Sequence, residues 1–504
     1  MSISGKQLTA KQVGQRAAFA VFLALIILAQ QFLLMSYSLP SVVGLIGLAA
    51  LMIMLFLQPE VATLFVVFAL YSNLSVIAMK RGLPESVAAA TFLLLGLPLF
   101  NYVTIRREKL IGSVPLAFML VYLAVALLSA VFAQDPRDSI TWFNNFAMEG
   151  LVLYFLIINT VRTPAVLRKA IWVLLFTGAL MGSISMYQAF TNSYDNDFGG
   201  WATVNQAQVD VGQQDFLGNQ PISRRVSGPI GEKNFYALIL VLLLPLAISR
   251  FSAERSTVLR ILVLVLTIPI LSGTLLTYSR GAGVAAVAMI LSMVALGGLR
   301  LKHVLGVGAV AAIALMMIVP DYLYRISTVS TVVELASGNP AEAGSSVRGR
   351  ATENLAAINI FLDHPILGVG PGQTRFFIQA AANDIDYQPL SGTRRAHNLY
   401  LEQLSDVGAL GLISYLAIVF ATMILLWRVA RRFRESRPDV FYTMIGLLAA
   451  IITYQVNGVF LHLAYVRYYW FLMALAAAAV HIYGSESGSK GEHVAENATV
   501  SSYA

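Results

Sequence analysis

The chain contains no cysteine, and only 12% of its 504 residues are charged while 58% are hydrophobic. The first absence excludes disulfides, a thiolate nucleophile and cysteine-ligated metal. The second excludes a soluble globular protein, because a surface of that size needs far more charge to cover it. Metal-type histidine spacing is missing as well: His303, His364, His397, His462, His481 and His493 are scattered, with no HExxH among them. No glycine-rich fingerprint follows a strand pattern and there is no P-loop, so a cytosolic nucleotide donor is not indicated and no cofactor is implied. Nor do the hydrocarbon centres of the apolar blocks carry the ionisable residues that an ion-coupled transporter normally needs near the midplane; Glu149, Arg280 and Arg467 lie at block ends.

What the chain does have is apolar sequence in blocks of about twenty residues, the length at which a helix crosses roughly 30 Å of hydrocarbon. About fourteen can be placed, near 18–36, 39–57, 61–79, 86–103, 114–133, 147–161, 166–190, 235–249, 259–278, 282–299, 303–319, 408–427, 440–460 and 466–483. The sixth is short, so the count is 12–14. The N-terminus has a basic start but no small-x-small cleavage site, and reads as a retained first helix. Lysine and arginine alternate across the loops: 20 of the 34 fall on the side that includes both termini, in clusters such as Arg106, Arg107 and Lys109 or Arg428, Arg431, Arg432, Arg434 and Arg437. The positive-inside rule then puts both termini in the cytoplasm of a bacterial inner membrane. The net charge of +8 reflects this bias and implies no nucleic-acid partner.

This pattern predicts an all-α polytopic bundle with a large, partly helical periplasmic loop. The expected order is a membrane bundle over 1–190, a loop over 191–234, membrane helices over 235–319, a large loop over 320–407, membrane helices over 408–483 and a disordered cytoplasmic tail over 484–504. Long loops inside a compact protein are usually functional or disordered. The stretch ATENLAAINIFLDHPILGVGPGQ predicts an amphipathic helix and a Pro/Gly turn, so the large loop is at least partly folded and is the natural place for chemistry.

Arginine gathers on the outer side: Arg224 and Arg225 in ISRRVSGPIGEKNFYA, Arg280 in TYSRGAG, Arg348 and Arg350 in SSVRGRATENL, Arg394 and Arg395 in SGTRRAHNLYLE, and Arg467 in AYVRYYW. A guanidinium is always charged and grips phosphate oxygens with a planar fork, so such a cluster suits a diphosphate on a lipid carrier. The plain alternative is pairing with outer acids or lipid headgroups. An imidazole titrates near neutral pH, so His397, beside Arg394 and Arg395, is placed to take a proton from a sugar hydroxyl; the alternative is a helix-start anchor. In the following helix Asn398, Glu402 and Asp406 are spaced by four and share a face. Either acid could orient His397, although an exposed polar stripe is the simpler reading. The strings Asp195-Asn196-Asp197 and Asp384-Ile385-Asp386 have a metal-binding look, but both sit in polar loops where acidic pairs are common.

These strings resemble the O-antigen ligase and polymerase superfamily. SRGAG at 279–283 is similar to its Ser-Arg-Gly motif, and Arg225, Gly228 and Asn234 occupy the places of its arginine-glycine-asparagine motif. His397, Asn398, Leu401, Asp406, Gly408 and Gly411 resemble its His-Asn signature and the acid-x-Gly-x-x-Gly that follows. The resemblance covers roughly 220–430 and fits the topology. It implies a glycosyltransferase C-like bundle that moves a saccharide from undecaprenyl diphosphate to a sugar hydroxyl in the periplasm, without metal. It also implies diphosphate binding by Arg225 and Arg280, with Arg224, Arg350 and Arg395 alongside. His397 would be the base, supported by Asn234, Asn398, Glu402 and Arg467. The acceptor would be another lipid-linked repeat, slightly favoured, or the lipopolysaccharide core, and a polysaccharide co-polymerase is admitted as a partner. A flippase or exporter of lipid-linked oligosaccharide is the rival reading; it would use the arginines but not the histidine.

Overall fold

The computed structural model describes residues 52–82, 91–203, 225–300, 345–385, 387–390, 392–462 and 466–500. Every regular element among them is a helix. In chain order these are α1 (Pro59–Tyr71), α2 (Leu74–Lys80), α3 (Leu93–Ile105), α4 (Val114–Val131), α5 (Pro136–Thr160), α6 (Pro164–Phe190), α7 (Lys233–Ala253), α8 (Thr257–Leu276), α9 (Arg280–Ala295), α10 (Ser345–Asp363), α11 (Thr374–Ala381), α12 (Leu399–Phe433), α13 (Pro438–Gly458) and α14 (Arg467–Val500). Helices α4, α5, α6, α7, α8, α12 and α13 are long and apolar enough to cross a membrane, and α1 with α2 adds an eighth if that bent pair is one span. The protein is therefore an all-α polytopic membrane protein. The blocks expected near 18–36 and 303–319, and most of 39–57, lie outside the described residues, as does Arg224.

Local chemistry sets the helix starts. Ser113, Asp135 and Thr163 accept hydrogen bonds from backbone N–H groups of the first turns of α4, α5 and α6, and Pro136 and Pro164 stand where a missing N–H costs nothing. Asn73, in the left-handed region at φ 59°, breaks the expected 61–79 block into α1 and α2 at an angle of 59°. The block expected to be short, 147–161, is instead the second half of a 25-residue helix. A π turn over Ala147–Val152 fuses it to the polar helix PRDSITWFNNF, which hydropathy alone does not flag. Helix α14 runs from Arg467 to Val500.

Packing separates central from lipid-facing helices. In its most apolar window α7 is 78% buried, whereas α8 is 28% buried and turns Val258, Ile261, Leu264, Val265 and Ile268 outward. Outward apolar side chains are what hydrocarbon accepts, so helix association must rest on close packing. Glycines allow it: a Cβ on Gly182 of α6 would lie 2.1 Å from the Pro269 carbonyl oxygen of α8. At the end carrying the basic loops, Arg168 pairs with Glu254 at 2.6 Å, Arg162 with Glu108 at 3.0 Å and Lys169 with Glu60 at 3.0 Å.

Helices α10 and α11 form a small lid with its own core of Ala356, Ile360, Val369, Ile378, Ala382 and Leu390. The lid is stapled to α12 at a break in that helix. Gly408 has φ 68° and ψ −169°, and a Cβ there would sit 2.2 Å from the Ile366 carbonyl oxygen, so only glycine fits. The N–H of Ala409, at the head of the membrane span, donates to Pro365 O at 2.9 Å. Two residues before the break, Asp406 accepts from Gly372 N at 2.9 Å, Thr374 N at 3.1 Å and Thr374 Oγ1 at 2.6 Å. The acid-x-Gly-x-x-Gly string is thus a clamp that fixes the lid and, with it, His397.

Candidate active site

Arg225 enters the bundle just before a tight turn. Gly228 has φ 52°, and a Cβ there would meet the Tyr236 ring at 2.5 Å. Glu232 then caps α7, accepting from Phe235 N at 2.6 Å and from Asn234 Nδ2 at 3.0 Å. The guanidinium of Arg225 spans from this turn to the loop after α8. Its Nε donates to Thr277 O at 2.6 Å, and its Nη2 to Tyr278 O at 3.2 Å and to Asn234 Oδ1 at 3.4 Å. Tyr278 holds a left-handed φ of 51°, a conformation that costs a non-glycine residue about 1–3 kcal/mol and so needs surrounding contacts to persist. The two arginine motifs are therefore one structural unit, with Asn234 as its tie. Arg280 follows as the first residue of α9, half-buried, after Ser279 caps that helix.

On the lid side, His397 Nδ1 lies 2.6 Å from Glu353 Oε2. Glu353 is 2% exposed, and its other oxygen accepts from Arg394 Nη1 at 3.0 Å. Arg395 pairs with the buried Glu402 and stacks over Trp142 at 4.7 Å, while Arg375 lies over the same ring at 5.5 Å and pairs with Asp138 at 2.6 Å. A carboxylate at Nδ1 holds the proton there and leaves Nε2 as the free lone pair of a neutral imidazole, the form in which histidine acts as a base.

The α13–α14 turn joins the two halves. His462 meets His397 edge to face at 5.3 Å between ring centroids, and meets Phe235, next to Asn234, at 5.4 Å. Phe460 of the same turn backs Gly281, where a Cβ would lie 3.2 Å from its Cβ. Burial, and then the guanidinium groups of Arg395 and Arg350 and any proton shared onto the neighbouring His397, push the His462 imidazole well below its usual range. Arg350 and Arg395 thus belong to the same electrostatic neighbourhood as His397. Across one short turn stand Asn234 with its Arg225, and the start of α9 with Arg280.

Several residues play parts other than those the sequence suggests. Glu402 and Asp406 are not an exposed stripe: both are buried, one with Arg395 and the other in the lid clamp, because the lid covers this face. The acid that orients His397 is Glu353, 44 residues away. Asn398 caps α12, accepting from Tyr400 N at 2.9 Å and Leu401 N at 3.2 Å. Arg467 is engaged elsewhere, with Glu149 at 3.7 Å and with Asn73, whose amide donates to Pro229 O at 2.9 Å; it braces the N-terminal helices against the 228–230 turn. Asp197 pairs with Arg81 at 3.2 Å and Asn196 closes its own turn, while Asp386 lies outside the described residues. No group of three metal-ligating side chains occurs among the described residues. Glu353, His462 and Trp142 escaped notice in the sequence; the one usable signal was His462, an ionisable residue at the edge of an apolar block.

Residues 262–416 match the family model described as O-Antigen ligase. The match runs from α8 through Arg280, the lid and His397 into α12, and leaves Arg225, Asn234 and His462 outside it. No curated protein matches the chain.

Proposed function

We propose that this chain, which carries an O-antigen ligase family domain across residues 262–416, is a glycosyltransferase that moves a saccharide from undecaprenyl diphosphate to a sugar hydroxyl on the periplasmic face of the inner membrane. The acceptor hydroxyl gives its proton to His397 Nε2 while its oxygen attacks the anomeric carbon. The bond from that carbon to the diphosphate oxygen breaks, and undecaprenyl diphosphate leaves with the electron pair. Glu353 holds the tautomer and shares the charge of the imidazolium that forms. Arg225 and Arg280 face the charge that grows on the leaving group, where one well-placed donor lowers the barrier by roughly 3–4 kcal/mol. A single displacement inverts the anomeric centre.

The observation that carries this reading is the 2.6 Å His397–Glu353 bond, with His462 in ring contact with both His397 and Phe235, the neighbour of Asn234. A flippase has no use for an imidazole held as a base. Purified protein in nanodiscs, given a native undecaprenyl-diphosphate glycan and no nucleotide sugar, is expected to make longer lipid-linked chains, as a polymerase. Transfer only after lipopolysaccharide core is added would make it a ligase. No reaction with either acceptor, together with transbilayer movement of the glycan in liposomes, would replace the enzyme reading with a transporter.

A further inference from the structure

The His462 ring is half-buried, and its Nδ1 is wholly enclosed with no hydrogen-bond partner among the described residues. An enclosed N–H without an acceptor is costlier and rarer than an enclosed lone pair, so the ring proton belongs on Nε2. Protonating both nitrogens is opposed by burial, by the cations Arg395 and Arg350, and by the proton that His397 gains in the reaction. His462 is thus a neutral imidazole with one donor, on the one edge able to meet a ligand.

We propose that His462 positions the acceptor saccharide: its Nε2–H donates a hydrogen bond to a sugar oxygen adjacent to the hydroxyl that His397 deprotonates. The inference rests on the glycosyltransferase reading above. Two imidazoles in edge-to-face contact, 5.3 Å apart, can address neighbouring oxygens of one sugar ring. The attacking hydroxyl gives its proton to His397, and its neighbour receives a hydrogen bond from His462. A neutral donor is suited to this task because it stays a donor while His397 changes charge beside it. Phosphate oxygens are better met by the guanidinium groups on the other side of the turn, which keeps the two kinds of recognition apart. A hydroxyl-reading donor also gives specificity, since a sugar lacking that oxygen leaves the donor unpaired.

The test needs no turnover. The intact protein in nanodiscs is titrated separately with two probes: the lipid-free repeat-unit oligosaccharide released by mild acid from the host's lipid-linked pool, and undecaprenyl diphosphate bearing no sugar. His462→Phe keeps a ring of similar size and removes the donor, whereas His462→Gln restores an N–H near the Nε2 position. His462→Phe is expected to weaken the oligosaccharide about tenfold and to leave the lipid diphosphate within about twofold, with His462→Gln recovering most of the loss. Unchanged or absent oligosaccharide binding would overturn the inference. So would weakening of the diphosphate instead, or a glutamine variant as poor as the phenylalanine one. Extension of the lipid-linked glycan by wild type is scored independently, so failure of the glycosyltransferase reading is seen separately from failure at His462.

Discussion

Glu353→Gln is expected to lower the rate of saccharide transfer by roughly 10²–10⁴-fold while leaving donor binding nearly intact. The carboxylate is buried and serves two donors at once, Arg394 Nη1 on one oxygen and His397 Nδ1 on the other. An amide of the same size can accept from only one of them and turns an N–H toward the other. If the amide N–H faces the histidine, Nδ1 becomes the acceptor and the ring proton moves to Nε2, the nitrogen that must accept from the substrate. If it faces Arg394, two donors meet and the ion pair is lost, which is unfavourable. Single-turnover rates per folded molecule, read beside thermal unfolding in the same nanodiscs, separate lost chemistry from lost fold. A variant within about threefold of wild type would show that Glu353 does not set the state of His397. Arg394→Gln should have a far smaller effect, because Arg394 is 42% exposed and its pairing is screened by water.

Arg225→Lys is expected to cost roughly 10²–10³-fold in transfer although the charge is kept. The guanidinium fork reaches Thr277 O, Tyr278 O and Asn234 Oδ1 from one rigid plane. An ammonium on a flexible stem holds at most part of that set. It would release the left-handed turn at Tyr278, and Arg280 begins α9 two residues later, so the variant displaces a second cation as well as weakening the first. The loss should therefore appear in both donor affinity and turnover, and Asn234→Ala should reproduce part of it. An Arg225→Lys protein with wild-type kinetics would limit Arg225 to a tie between two loops.

The bundle was readable because hydrophobic blocks and alternating basic loops are local properties of the chain. The helix breaks were not, because they are decided by neighbours: Gly408 is left-handed since the Ile366 carbonyl fills the space a Cβ would need. Likewise, the spacing of Asn398, Glu402 and Asp406 places them on one helix face but does not say that a lid, bound to Asp406 through Gly372 and Thr374, 34 and 32 residues earlier, covers it. The arginine motifs and His397 stood out through charge and position, but the acid that completes His397 lies 44 residues away in an amphipathic helix, with no spacing rule linking the two. His462 showed only as an isolated histidine beside an apolar block, and its place between the halves of the site depends on the α13–α14 turn.

The central claim is that the arginine motifs and His397 act on one reacting centre. The most direct measurement is a cryo-EM structure of the His397→Ala protein in nanodiscs with its undecaprenyl-diphosphate glycan bound. The account predicts the diphosphate within hydrogen-bond reach of Arg225 and Arg280, roughly 3 Å, with the anomeric carbon turned toward position 397 and Glu353. A diphosphate bound elsewhere, or an anomeric carbon more than about 15 Å from position 397, would contradict a single catalytic site.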